Sequence, residues 1–135
     1  MTLLDTNIFI RFVIPDDPGR AARCSKLFDS ISTGREQAIV TPLALAEIVW
    51  VLLGSYRLPK PDVIATLRRI LHTDKLEIVD REILIRGVDL FENHPIDFID
   101  AYHAAFMGSR KIQTIYSYDT DFDQLTGAGI TRKEP

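Results

Sequence analysis

Short apolar runs alternate with longer amphipathic stretches along the whole chain. Thr2-Leu3-Leu4 is the first run, and it stops on Asp5-Thr6-Asn7, which predicts a buried strand opening into a turn and a helix. That strand is expected at the centre of the sheet, with Asp5 at its carboxyl end. Asn7 to Val13 then carries Ile8, Phe9, Phe12 and Val13 at helical spacing until Pro15-Asp16-Asp17-Pro18-Gly19 interrupts it. From Arg20 to Ser32 the apolar positions Ala21, Cys24, Leu27, Phe28 and Ile31 describe one side of an amphipathic helix. Arg20, Arg23 and Lys26 fall on its other side and read as a solvated face, with an RNA contact as the alternative.

Ala38-Ile39-Val40 is a second short strand, and Thr41-Pro42 supplies a capping hydroxyl followed by proline at the first helical position. The helix is predicted from about Pro42 to Leu53, with Gly54 suited to its C-terminal cap. Between Leu43 and Leu53 it is apolar on every side except at Glu47. Such a helix should be buried on most sides, where a carboxylate must neutralise, pair or bind metal. Arg57 to Pro61 is a polar turn, and Asp62 to Leu71 completes a helical hairpin on which Trp50, Leu53 and Tyr56 either serve a partner or pack in the core.

Leu76-Glu77-Ile78-Val79 is a third strand, and Asp80 with Glu82 opens a helix to about Asn93. His94-Pro95 ends it, and Asp97 is expected to cap a helix running through Met107, on which Asp100 shares the inward side with Ala104 and Met107. Ile112 to Tyr116 reads as another buried strand, ended by Ser117-Tyr118-Asp119-Thr120-Asp121-Phe122-Asp123, before a turn and an edge strand in Gly127 to Thr131. Strands alternating with helices predict an α/β fold, a three-layer α/β/α sandwich around a mainly parallel central sheet.

At 135 residues the chain fits a single domain spanning 1–135, long enough to bury roughly 68% of its unfolded surface. Hydrophobic residues make up 46% and charged residues 26%, which excludes a disordered chain. No apolar run reaches the ~20 residues of a membrane span, and the N-terminus lacks the pattern of a signal peptide, so a cytoplasmic location is expected. Cys24 is the only cysteine, which excludes a disulfide framework or zinc-thiolate cluster within one chain and points to a packed thiol. The net charge of −3 argues mildly against non-specific nucleic-acid binding, although a cation-filled acidic site would leave a more basic surface.

The acids therefore carry the chemistry. Asp5 and Asp119 stand at strand ends, Glu47 on the helix after a strand and Asp100 on the helix before the last long strand; right-handed crossovers can bring all four to one edge of the sheet. An all-carboxylate cluster repels itself, and its useful states are a raised pKa or bound divalent cations, with hard oxygens suiting Mg²⁺ or Mn²⁺. Phosphodiester hydrolysis is the chemistry that fits. His72, His94 and His103 show no paired ligand spacing, and whether Asp97 or Asp121 joins the acids stays open.

Leu4-Asp5-Thr6-Asn7, Glu47 in an apolar helix, Asp100-Ala101-Tyr102 with Ala104-Ala105, and Tyr118-Asp119-Thr120-Asp121-Phe122 together resemble the PIN-domain nucleases, especially the toxins of VapBC-type toxin-antitoxin pairs. The resemblance implies an endoribonuclease in which Asp5, Glu47, Asp100 and Asp119 hold Mg²⁺ or Mn²⁺, and Asn7, Ser117 and Asp121 support the site. It also implies hydrolysis of RNA to a 5′-phosphate and 3′-hydroxyl, a homodimer and a cognate antitoxin. The alternative is a PIN-like RNA-binding or scaffold module without turnover. A phosphoacceptor domain would need adjacent acids after the first strand, and a haloacid-dehalogenase-like phosphatase a second Asp where Asn7 stands.

Overall fold

The computed structural model describes residues 1–135, and every paired strand in it runs parallel to its neighbour. Every two successive strands are separated by helix, in most cases a pair of helices, which gives the α/β class. By their internal contacts the residues form two compact units, Met1–Arg81 and Glu82–Pro135.

In the first unit the order is β1 (Thr2–Leu3), α1 (Thr6–Val13), α2 (Pro18–Ser32), β2 (Ala38–Val40), α3 (Pro42–Gly54), α4 (Lys60–Leu71) and β3 (Glu77–Ile78). The sheet runs β1-β2-β3, with Thr2 opposite Ala38 and Val40 opposite Ile78. β2, not β1, is the central strand of this sheet. Ala38 and Val40 are fully buried while Leu3 is 65% exposed, so the buried first strand expected from its apolar run is corrected: Leu4 alone of that run is in the core. An apolar residue favours burial, but the pairing decides which strand receives it.

The helix starts follow local chemistry. The Asp17 carboxylate accepts the Arg20 amide at 3.1 Å ahead of α2, and the Thr41 hydroxyl accepts the Ala44 amide at 3.4 Å ahead of α3, each with proline next in line. Gly54 does not cap α3 from outside; it is the last helical residue and Ser55 follows in right-handed backbone. Phe9 and Phe12 of α1 both meet the Phe28 ring of α2, at 5.4 and 4.8 Å between centroids. Leu45, Ile48 and Leu52 of α3 and Val63, Leu67 and Leu71 of α4 complete the core.

The second unit comprises α5 (Arg81–Asn93, entered at Glu82), α6 (Phe98–Arg110), β4 (Thr114–Tyr116), a 3₁₀ helix (Thr120–Ala128) and β5 (Thr131–Lys133). β4 pairs in parallel with β5, Ile115 opposite Arg132, so a final strand is present but starts only at Thr131, where the expected Gly127–Thr131 stretch ends. β4 is not the buried strand its composition predicts, since Thr114 and Tyr116 are exposed and Ile115 only half-buried. The stretch expected as an acidic turn is helical: Phe122 and Leu125 are buried at i, i+3, the spacing a three-residue turn stacks on one face. Phe91 and Phe98 pack edge to face at 5.8 Å between α5 and the start of α6.

Candidate active site

In the second unit, three carboxylates meet. Asp97 sits in extended backbone ahead of α6, and its side chain accepts the Asp100 amide at 2.8 Å. It is a helix cap, as its position predicts. Asp100 is held in the first turn by that bond, and its carboxyl also hydrogen-bonds the Asp97 side chain.

Beyond β4, the Ser117 hydroxyl accepts the Asp119 amide at 2.9 Å, and the Asp119 carboxylate accepts the Asp121 amide at 2.9 Å. These two bonds fold the strand end back so that Asp119 caps the 3₁₀ helix and Asp121 lies in its first turn. One carboxylate oxygen each from Asp100, Asp119 and Asp121 then lies within 4.8 Å of the others. Asp121 thus joins the cluster itself, and Ser117 supports it from behind.

Burial is the first cause that pushes the Asp100 carboxyl up to about 6, followed by the negative charges of Asp97, Asp119 and Asp121. Three hard oxygens with surplus negative charge and no histidine fit Mg²⁺ or Mn²⁺.

The direction of the Asp100 shift sets a pH dependence. Its folded pKa lies above the ordinary 3.8, so its contribution to stability is complete below that value and is lost as pH rises through about 6. A divalent cation competes with the same proton. The rise in melting temperature produced by saturating Mn²⁺ is therefore expected to be larger at pH 7 than at pH 5. Equal Mn²⁺ effects at both pH values would remove Asp100 from the ligand set.

Sequence reasoning missed one residue of this unit. Arg132 on β5 is only 14% exposed; its guanidinium grips both Asp123 oxygens, at 2.9 and 3.3 Å, and donates to the Ser117 carbonyl and Glu134 at 2.9 Å each. It ties β5 to both flanks of the Ser117–Asp123 turn that presents Asp119 and Asp121. Arg132→Met is expected to lower the melting temperature and to raise the Mn²⁺ concentration needed for half of the metal-induced stabilisation. Arg132→Lys should recover the first more than the second, because a point charge cannot hold two acceptors in one plane. Unchanged Mn²⁺ dependence in Arg132→Met would reduce Arg132 to a surface clasp. No local pattern announces it, for its partners lie up to 15 positions away.

In the first unit, Asp5 and Glu47 line one cavity of about 210 Å³ with Leu3, Thr6, Thr41 and Ala44. Asp5 occupies the cap position of α1, where it is exposed and its side chain makes no capping bond. The buried Thr6 hydroxyl donates to the Ala44 carbonyl at 3.4 Å and links the start of α1 to the first turn of α3.

Glu47 is not the buried carboxylate expected from its apolar helix. It is exposed, on a stripe with Leu43 and Trp50, which are 81% and 78% exposed; the buried face is Ala44, Leu45, Ile48, Val49 and Leu52. Composition around a helix does not determine which side finds a partner. Asn7 lines a different cavity, between α1 and α2.

A comparison with curated proteins gave no match. Among solved structures, the chain is similar to the Mycobacterium tuberculosis toxin VapC20, described as cleaving the sarcin-ricin loop, at 19% identity over 100% of both chains with a TM-score of 0.41. The PIN domain family matches residues 2–128. With all of β1 through the 3₁₀ helix inside that match, the chain belongs to the PIN domain family of nucleases.

Proposed function

We propose that this protein is a metal-dependent endoribonuclease that hydrolyses RNA phosphodiester bonds, residues 1–135 acting as one nuclease domain. The observation that carries this reading is the convergence of Asp100, Asp119 and Asp121 within 4.8 Å in a chain of the PIN domain family. Asp100 and Asp119 hold Mg²⁺ or Mn²⁺, with Asp121 as a further oxygen donor. By the sequence resemblance, Asp5 and Glu47 contribute ligands to the same reaction.

When bound, such an ion polarises the phosphodiester, generates a nucleophile from water and stabilises the leaving oxygen. The protein supplies the rest. Ser117 fixes the Asp119 backbone, Asp97 fixes that of Asp100, and the uncommitted Asp5 carboxylate is available to orient a water molecule or cation.

The sequence motifs also support assignment as a toxin of the VapBC type, a homodimer acting in the cytoplasm and held by a cognate antitoxin. No helix is long and apolar enough to cross a membrane. The test is cleavage of a structured RNA panel by purified protein in Mg²⁺ or Mn²⁺, with EDTA and Asp5→Asn as paired controls. Metal-dependent cutting lost in Asp5→Asn is the expected result. RNA bound but uncut under all conditions would favour a binding module without turnover.

A further inference from the structure

The helices α1 and α2 border an open cavity of about 380 Å³ that no acid lines. Its polar wall is Asn7 and Arg11 from α1 and Arg20 and Arg23 from α2, and its apolar wall includes Ile8 and Leu27. The spacing makes the convergence local: Asn7 and Arg11 are i, i+4, Arg20 and Arg23 are i, i+3, and both pairs border the one cavity. Arg20 and Arg23 are exposed, as a solvated face requires, and both also border the cavity. Lys26, on the same helix, is exposed and outside the cavity.

We propose that this cavity is a nucleotide subsite for the RNA strand, in which Arg11, Arg20 and Arg23 hold a backbone phosphate beside the one that is cut. Ile8 and Leu27 take the attached base. The inference rests on the nuclease reading and names where the strand is gripped.

Charge supports it. No carboxylate lines the cavity; Asp16 pairs with Arg11 at 2.9 Å and Asp17 with Arg20 at 3.4 Å. Two exposed acids against three guanidinium groups leave a positive excess, and both pairs are exposed enough to exchange a partner at little cost. The Asp17 carboxyl is held below its usual range first by the Arg20 amide and then by the charges of Arg20, Arg11 and Arg23, so the fields of all three arginines meet at this point.

Chemistry selects the ligand. Arginine forks match phosphate oxygens in a plane, and guanidinium faces and aliphatic side chains both accept the flat face of an unpaired base. An acidic peptide would use the cations but not the apolar wall. Position selects the role: Asp5 is the cap residue of α1 and Asn7 lies in its first turn, so the cavity begins within one helical turn of a proposed metal-binding acid.

The test is binding without turnover. Full-length protein in EDTA is titrated into a short fluorescent single-stranded RNA, and separately into a polyglutamate peptide, across a range of salt. Arg20→Gln and Arg23→Gln are each expected to weaken RNA binding about tenfold. The double variant should flatten the logarithmic salt dependence by about one unit. Arg23→Lys should keep most of the salt slope while losing affinity, because charge survives and the fork does not. Lys26→Gln, outside the cavity, should bind as the parent does.

RNA affinity unchanged in the double variant, with the parent melting temperature retained, overturns the subsite. So does loss of peptide binding with RNA binding intact. The nuclease reading fails separately: cavity-dependent RNA binding with no Mn²⁺-dependent cleavage would sink turnover alone, whereas cleavage with an unchanged KM in the arginine variants would sink the subsite alone.

Discussion

Asp119→Asn is expected to abolish RNA cleavage while leaving the metal-free protein at least as stable as the parent. Asparagine keeps the side-chain oxygen that accepts the Asp121 amide at 2.9 Å, and it caps helices about as well as aspartate, so the 3₁₀ helix should start as before. One negative charge leaves a cluster whose oxygens lie within 4.8 Å, which relieves repulsion on Asp100 and Asp121 and should bring the Asp100 carboxyl back toward its ordinary range. Metal affinity moves the other way. Loss of several kcal/mol of metal-dependent transition-state stabilisation corresponds to about a thousandfold or more in rate. Single-turnover cleavage with melts in EDTA and in Mn²⁺ reads all three effects. A variant that still melts higher in Mn²⁺ by the parent's margin would show that Asp119 is not a ligand, and retained cleavage would move the catalytic centre elsewhere.

Glu47→Gln should reduce cleavage by a comparable factor, although Glu47 belongs to the other compact unit. It is exposed and borders the cavity it shares with Asp5, so the amide fits without loss of packing and the fold should be unaffected. Its proposed contribution is a negative oxygen in place of a neutral one, a difference worth most where a cation must be held. Because the substitution leaves Asp100, Asp119 and Asp121 untouched, its effect asks whether the acids of both units serve one reaction. Cleavage and Mn²⁺ stabilisation both at parental levels would confine the metal site to the second unit. Loss of cleavage with an unchanged melting temperature in EDTA supports the single nuclease domain proposed for the chain.

Much of this was legible in the chain. The helix starts at Thr41-Pro42 and Asp97 are local agreements between a capping oxygen and the amides after it, and they appear where the residues predict, whereas α2 begins at Pro18 behind an Asp17 cap, two residues ahead of the expected start at Arg20. The alternation of short apolar runs with amphipathic helices gave the α/β class. Asp97 as the cap of α6 also follows from its place ahead of that helix, three residues before the amide it accepts.

What was not legible depended on partners distant in sequence. The apolar run of β1 predicts burial, but only the pairing to β2 places that strand at the side of its sheet. The helix around Glu47 is apolar on every side, and nothing local says that Leu43, Glu47 and Trp50 remain exposed while Leu45, Ile48 and Leu52 pack. Arg11 carried no signal in the sequence, and only the packing of α2 brings Arg20 and Arg23 into one cavity with it. Arg132 gave no signal at all, because its acceptors come from Ser117, Asp123 and Glu134.

By itself, then, the sequence determined where helices begin, which residues are acids and that their order matches a family, because those properties rest on neighbours within a turn or two. Only the tertiary structure decided that Asp121 joins Asp100 and Asp119, that Glu47 faces outward and that three arginines share a cavity, because side-chain convergence is set by how the elements pack.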